Sequence, residues 1–259
     1  MKQIRIQAIK AYVVANHTVT LEQICEKFEI SMSTLRRDLK ELTKERDIRK
    51  SYGVLSAHPA ARQLPFEERY VANAAAKRRI AERAAQLVVD NDIIFIDSGT
   101  TTMCLVDYLQ DRSSVTIITN SLEVIRRAYP FRNLTVITMS GILNRALCSF
   151  GGATAVSVLS GYNINRAFLA TAGIARDFSI TNAFVPETDL KRMAIARSQQ
   201  RILLADAAKF GVLSLCTYCR LEEIDTLVTD REPPPEYLTR LRDAGKELIV
   251  CPAAALADA

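Results

Sequence analysis

Apolar positions at the start of the chain recur at helical spacing and break at turn residues. Ile6, Ile9 and Val13 form one stripe and predict a first amphipathic helix. Thr20-Leu21-Glu22-Gln23 reads as a capping box opening a second helix, with Leu21, Ile24, Cys25 and Phe28 on its apolar face. After a turn at Glu29-Ile30, Ser31 is placed to cap a third helix whose Leu35, Leu39 and Leu42 line one side. Ser33, Arg36, Arg37 and Lys40 fall at i, i+3, i+4 and i+7 on the other side. One face packs, and the cationic face is free to meet a polyanion. Two short helices joined by a tight turn, the second carrying paired arginines, predict a helix-turn-helix. Asp47-Ile48-Arg49-Lys50-Ser51-Tyr52-Gly53-Val54-Leu55 reads as two short strands around a turn, a wing that places Arg49 and Lys50 to reach phosphates.

Further along, helical stretches alternate with short β-branched runs. Ile80 to Val89 reads as a helix, Ile93-Ile94-Phe95-Ile96-Asp97 as a strand, and Met103 to Leu109 as helical. Strands are expected at 115–119, 134–138, 167–170, 202–205 and 226–229, with helices at 122–128 and around 189–197, and a last helix and strand between 235 and 250. Continuous apolar runs of this length suit strands buried on both faces, so the expected fold is a mainly parallel α/β sheet. Pro59 and Pro65 bracket a polar segment read as a linker ending in a helix. The expected organisation is therefore residues 1–58 as a winged helix-turn-helix, 59–75 as a linker and 76–259 as a mainly parallel α/β domain.

Charge sharpens this division. Residues 1–58 hold 11 Lys and Arg against 7 Asp and Glu, a net of +4 out of +5 for the 259 residues, the electrostatic footprint that nucleic acid requires. With 49% hydrophobic residues and no apolar run long enough to span a membrane, the chain is expected to be soluble and cytoplasmic. Both histidines, His17 and His58, lie in the first 58 residues, so the second domain offers neither a Ser-His-Asp triad nor a histidine-rich metal site. Cys216-Thr217-Tyr218-Cys219 lacks the second ligand pair that zinc wants and reads as structural. No metal or cofactor is expected.

In parallel sheets ligands bind at the carboxyl ends of strands, which selects the loops to inspect. Asp97-Ser98-Gly99-Thr100-Thr101-Thr102 couples a glycine turn to a helix start, where backbone N–H groups and threonine hydroxyls make an anion site. Thr119-Asn120-Ser121, Ser140-Gly141 with Asn144 and Arg145, Thr171-Ala172-Gly173, and Asp206-Ala207-Ala208-Lys209 end later strands. Glu187 and Lys191 sit at i and i+4 on a helix, a spacing that also suits an ordinary surface salt bridge. An anion loop with acids (Asp97, Glu187, Asp206) and cations (Lys191, Lys209) suits a phosphorylated sugar.

Taken together, Ile30-Ser31-Met32-Ser33-Thr34-Leu35-Arg36-Arg37-Asp38-Leu39, Asp97-Ser98-Gly99-Thr100-Thr101, Ile118-Thr119-Asn120-Ser121, Asp206-Ala207-Ala208-Lys209-Phe210-Gly211 and Thr229-Asp230 resemble the DeoR family of bacterial transcriptional regulators over nearly the whole chain. The resemblance implies a winged helix-turn-helix followed by an effector domain similar to ribose-5-phosphate isomerases and glucosamine-6-phosphate deaminases. It also implies a repressor of a sugar-catabolic operon that binds operator DNA as a homodimer or homotetramer and responds to a phosphorylated sugar. Two departures from the family pattern stand out: Tyr52-Gly53 replaces a Gly-Gly pair at the wing, and Ser140-Gly141 replaces a second Gly-Gly after the third strand of the effector domain. The rival reading is a sugar-phosphate isomerase or deaminase with an accessory DNA-binding domain. Its base and electrophile would come from Asp97, Glu187, Asp206, Lys191 and Lys209.

Overall fold

The structure is a computed structural model that describes residues 2–16, 18–42, 48–51, 54–57 and 65–253. The chain divides into two compact units, Met1–Arg62 and Gln63–Ala259.

The first unit contains α1 (Lys2–Asn16), β1 (Thr18–Thr20), α2 (Leu21–Phe28), α3 (Met32–Leu42), β2 (Ile48–Ser51) and β3 (Val54–Ala57). The expected capping box forms: Thr20 Oγ1 accepts from the Gln23 amide at 3.2 Å, and Gln23 Oε1 accepts from the Thr20 amide at 2.9 Å. Glu29 ends α2 in the left-handed region at φ 50°, and its amide donates back to the Cys25 and Glu26 carbonyls. That reversal turns α3 so that Leu35, Leu39 and Leu42 join Ile9, Val13 and Ile24 in one core. β3 pairs antiparallel with both β1 and β2, forming the expected wing hairpin. Tyr52 and Gly53, where the wing departs from the family pattern, lie outside the described residues.

The second unit opens with α4 (Phe66–Val71) and α5 (Ala74–Ala85). Its main sheet is built from β4 (Ile93–Ile96), β5 (Val115–Thr119), β6 (Leu134–Thr138), β9 (Ile164–Ala170), β12 (Ser198–Leu204), β14 (Thr226–Thr229) and β15 (Glu247–Val250). All seven strands are parallel, in the order β15-β14-β12-β9-β4-β5-β6. Alternate residues of each strand feed two cores. Ile94, Ile96, Ile117, Phe168 and Leu204 pack beneath α5 and a 3-10 segment, Thr102–Tyr108. Phe95, Ile118, Leu169, Leu203 and Leu227 pack against α7 (Ala153–Ser160), α8 (Val185–Arg197) and α9 (Pro235–Asp243). α6 (Leu122–Ala128) adds Val124 and Ala128 to the first core. The sheet is thus covered on both faces, as the unbroken apolar runs require.

Three expectations change. The helix expected from Ile80 to Val89 starts at Ala74, after Asn73 in the left-handed region, and ends at Ala85. The helix expected at the end of the linker forms at Phe66–Val71, but Phe66 is buried in the first core, so this stretch belongs to the second unit, which begins at Gln63 and not at 76. Short strands with mixed polarity escaped the periodicity: β7 (Ile142–Asn144) with β8 (Ser149–Gly151), and β10 (Gly173–Ile174), β11 (Ser179–Asn182) and β13 (Cys216–Arg220), all antiparallel. Each is too short to display a period.

The strand order also locates a crevice. β4, β5 and β6 run toward one edge, whereas β9, beside β4, leads to the other, so the order reverses between β4 and β9. Ligands in open α/β sheets bind outside the carboxyl ends of the strands at such a reversal.

Candidate functional site

On α3, Ser33, Arg36 and Arg37 are exposed and Thr34 is half-buried, while Leu35 beneath them is fully buried. Ser31 Oγ accepts from the Thr34 amide at 3.2 Å and lies 2.9 Å from the hydroxyls of both Ser33 and Thr34, so the helix start is knitted by its own side chains. Arg5 Nε on α1 donates to buried Asp38 at 2.8 Å and fixes α3 against the first helix. The arginine pair is thereby displayed on a braced scaffold. Lys40 lies on α3, and Arg49 and Lys50 lie on β2; the side chains of all three are outside the described residues.

The second constellation sits at the strand-order reversal. Asp97, immediately after β4, is 1% exposed and Lys191 of α8 is 3% exposed, and the two form a buried ion pair. Asp97 Oδ1 accepts from the Ser98 amide at 2.8 Å, and Oδ2 accepts from the Ala170 amide at 2.9 Å. Lys191 Nζ also donates to the Ala170 carbonyl at 2.9 Å and lies 5.3 Å from the Tyr218 ring centroid. Tyr218 Oη donates to the same carbonyl at 3.0 Å. Glu187, one turn earlier on α8, accepts from Ser98 Oγ at 3.0 Å and Ser149 Oγ at 2.6 Å on the same oxygen. The i, i+4 spacing of Glu187 and Lys191 therefore does not make a surface salt bridge. Both are buried, and each turns to a different loop.

Gly99 is required by contact: a Cβ there would stand 2.2 Å from Ala170 Cβ, where β4 and β9 end side by side. The threonines diverge from the expected set of donors. Thr102 Oγ1 turns inward to the Asp97 carbonyl at 2.7 Å and the Gly99 carbonyl at 2.9 Å, whereas Thr100 Oγ1 reaches the Arg69 carbonyl at 3.4 Å. Thr101 precedes the 3-10 segment and is buried. Among the described residues, the backbone N–H groups of Gly99, Thr100 and Thr101 have no protein acceptor.

At the end of β5, Thr119 Oγ1 donates to the Ile96 carbonyl at 2.6 Å, and Ser121 caps α6 through the Val124 amide at 3.2 Å. Asn120 Nδ2 donates to the Phe150 carbonyl at 3.1 Å, while its buried Oδ1 lacks a partner. Asp206 Oδ1 accepts from the Ala208 amide at 3.0 Å, and Lys209 is half-exposed in the following 3-10 turn. Gly173 opens β10, and its carbonyl accepts from the Thr171 and Thr181 hydroxyls.

Two expected members do not join the constellation. Arg145 is exposed on the β7–β8 connection. Gly141 is exposed with φ 139°, and a Cβ there would meet the Gly151 carbonyl at 2.4 Å, so it serves the hairpin backbone.

Sequence reasoning missed Arg69, Lys77, Ser149 and Tyr218. Lys77 had a legible signal: it lies on the apolar stripe of α5 with Ile80, Ala81 and Ala84, where a lysine is out of place. It is 5% exposed and donates through Nζ to the Arg69 carbonyl. Burial lowers its pKa from 10.5 to about 8, with Asp206 opposing the shift and Lys209 and Arg69 reinforcing it. Burial likewise pushes the Arg69 guanidinium below its usual value, against the fields of Glu187 and Asp97.

The described cysteines are unbridged, and burial pushes the Cys219 thiol well up. Among the described residues, no cluster of His, Cys, Asp and Glu could hold a metal ion, and no helix is long and apolar enough to cross a membrane.

Comparison with known proteins accounts for both units. Residues 5–58 match the DeoR-like helix-turn-helix domain, and residues 72–231 match the DeoR C terminal sensor domain. The HTH-type transcriptional regulator IolR of Bacillus subtilis is 35% identical over 92% of this chain and 94% of its own. The glycerol-3-phosphate regulon repressor of Escherichia coli is 27% identical over 90% of this chain and 92% of its own. A ribose 5-phosphate isomerase from Methanocaldococcus jannaschii is structurally similar over 54% of this chain and 55% of its own, at 18% identity and a TM-score of 0.41. The matched domains and the full-length likeness to IolR establish that the chain belongs to the DeoR family of DNA-binding transcriptional regulators.

Proposed function

We propose that the chain represses a carbohydrate-catabolic operon and that a phosphorylated sugar or polyol, bound where β4 and β9 end, changes its affinity for operator DNA. Arg36 and Arg37 contact base edges or phosphates in the major groove, Ser33 and Thr34 contact the DNA near the start of α3, and Lys40, Arg49 and Lys50 hold the flanking backbone. One reader helix offers little contact, so a homodimer or homotetramer binds repeated half-sites.

The effector half rests on the loop 98–101. Three successive backbone N–H groups there lack protein acceptors among the described residues, at the reversal of strand order where such sheets bind ligands. Thr119, Asn120 and Ser121 stand at the carboxyl end of β5, and Asp206 and Lys209 follow that of β12, the side of the sheet on which such ligands bind. Gly173 opens β10, and Gly141 and Arg145 stay outside the constellation. Asp97, Glu187 and Lys191 are held by one another's loops, so their part is to position the Ser98–Thr101 segment. The name of the glycerol-3-phosphate regulon repressor supports a phosphorylated polyol as the class of compound.

Calorimetric titration tests this with glycerol 3-phosphate, ribose 5-phosphate and glucosamine 6-phosphate against their unphosphorylated counterparts. Saturable binding of a phosphorylated compound alone, lost in Thr100→Asp, supports the reading. Equal binding of the unphosphorylated compounds, or binding unchanged in Thr100→Asp, contradicts it.

A further inference from the structure

The two faces of α8 have different surroundings. Its inner face turns Glu187 to Ser98 and Ser149, and Lys191 to Asp97. Its outer face presents Val185, Asp189, Arg192 and Ala196 at i, i+4, i+7 and i+11, and all four are exposed.

Around Val185 this outer face is apolar and extends onto neighbouring elements. A Cβ built on Gly151 of β8 would rest 3.6 Å from the Pro186 Cβ, and Gly151 pairs with Ile142 of β7. Directly opposite residues of an antiparallel pair point to the same face, so Ile142 stands on the Pro186 side of the hairpin. Cys216 of β13 pairs with Asn182 at the end of β11, which brings Leu215 alongside the stretch leading from Asn182 into α8. Leu213 lies two residues earlier, next to Ser214, whose amide donates to Thr181 Oγ1 of β11 at 3.0 Å. Ile142 is 82% exposed, and Leu213, Leu215 and Val185 each keep more than half of their surface in water. Together they leave on the order of 500 Å² of apolar surface in one patch, near the upper limit for a single-chain protein. Covered by a second identical patch, the area buried reaches about 1,000 Å², where specific interfaces begin.

Charge on the same face selects the occupant. Beyond Val185 it carries one base and one acid, Arg192 and Asp189, 3.2 Å apart. A polyanion or an acidic protein calls for a face of one sign. Two copies of α8 related by a two-fold axis across their length run antiparallel, and Asp189 of each then meets Arg192 of the other.

We infer that a second copy of this chain covers the patch, with α8 packed against α8 about a two-fold axis and Ile142, Leu213 and Leu215 closing around it. The inference rests on the proposed function for the need of more than one copy, and it names the surface that joins them. The inner face of the same helix holds the anion loop through Glu187 and Lys191, so an effector at residues 98–101 bears on the helix that carries the subunit contact.

Sedimentation velocity of the full chain at micromolar concentration, without DNA, tests it. Wild type is expected to sediment as a dimer or tetramer. Val185→Asp and Leu215→Asp lie on different elements, and each is first shown to be folded by circular dichroism. Each is expected to raise the dissociation constant by about 100-fold or more, because the two-fold makes every substitution act twice. Tyr129→Asp, at an exposed position on another element, is expected to leave association unchanged. Asp189→Arg is expected to weaken association about tenfold, and adding Arg192→Asp to restore it. Association that persists in both apolar variants, or a charge swap that does not restore it, overturns this interface while the oligomeric reading stands. A monomeric wild type overturns both. If Leu215→Asp dissociates the protein without weakening operator binding, the interface stands and the reading of repeated half-sites falls.

Discussion

Asp97 and Lys191, 94 residues apart, form a buried ion pair that joins the end of β4 to α8, and Ala170 at the end of β9 bonds to both partners. Three elements of the second unit are thus tied at the reversal of strand order. Lys191→Met strands the Asp97 carboxylate among buried groups, and leaving one charge of such a pair unpaired costs about 3–5 kcal/mol. The double variant Asp97→Asn with Lys191→Met is expected to lose less than the two single losses added, because neither charge is left alone. Urea unfolding of the four proteins gives the coupling; strictly additive losses would contradict the pair.

Gly99 and Ala170 make a steric prediction. With only 2.2 Å between a Gly99 Cβ and Ala170 Cβ, Gly99→Ala forces the ends of β4 and β9 apart and is expected to cost about 1–3 kcal/mol. Ala170→Gly removes the clashing methyl and is expected to return most of that loss when the two are combined. Thermal unfolding of the single and double variants checks this.

These two relationships show how far the sequence could be read. Asp97 was legible because it ends the apolar run Ile93–Ile96, and the parallel-strand rule directs attention to that position. Its partner was not. Lys191 shows in the sequence only as the i+4 neighbour of Glu187, whereas folding turns Lys191 to Asp97 and Glu187 to Ser98 and Ser149. Pairings between residues distant in sequence depend on strand order, which periodicity does not encode. The capping box, the turn and the leucine face of the helix-turn-helix were legible because they are local features, whereas the three-residue β1 was not. The β10–β11–β13 sheet was missed because its strands, two to five residues long, mix polar and apolar positions and so lack the apolar runs that marked β4, β5 and β14.

Lys77 gives stability a pH signature. Its pKa falls from 10.5 to about 8 on folding, so the unfolded chain binds more protons at this site between those values. Stability attributable to Lys77 therefore rises with pH from about 8 to 10.5 and is level below that window. Cysteines and tyrosines also titrate there, so the quantity to follow is the difference between wild type and Lys77→Met. That difference is expected to move in the wild type's favour across the window in urea unfolding at successive pH values; a constant difference would contradict the assignment.

Arg36 and Arg37 are exposed over the buried Leu35, so truncating them should spare the fold. Each Arg→Ala change is expected to weaken operator binding by about 1–3 kcal/mol where the arginine reads a base, with relaxed preference at that position. Where it meets a phosphate, binding weakens evenly across sequences and the salt slope falls by about 1. Competition with operator variants at several salt concentrations separates the two roles.

The central claim joins the two units in one equilibrium. Fluorescence anisotropy of the full chain on DNA from upstream of its own gene, at fixed salt, tests it when titrated with glycerol 3-phosphate, ribose 5-phosphate and glucosamine 6-phosphate. The account predicts sequence-selective binding that Arg36→Ala weakens, and a shift in operator affinity of about 5- to 150-fold with a phosphorylated compound, absent in Thr100→Asp. Selective binding that none of the three compounds alters, or a shift that persists in Thr100→Asp, would contradict it.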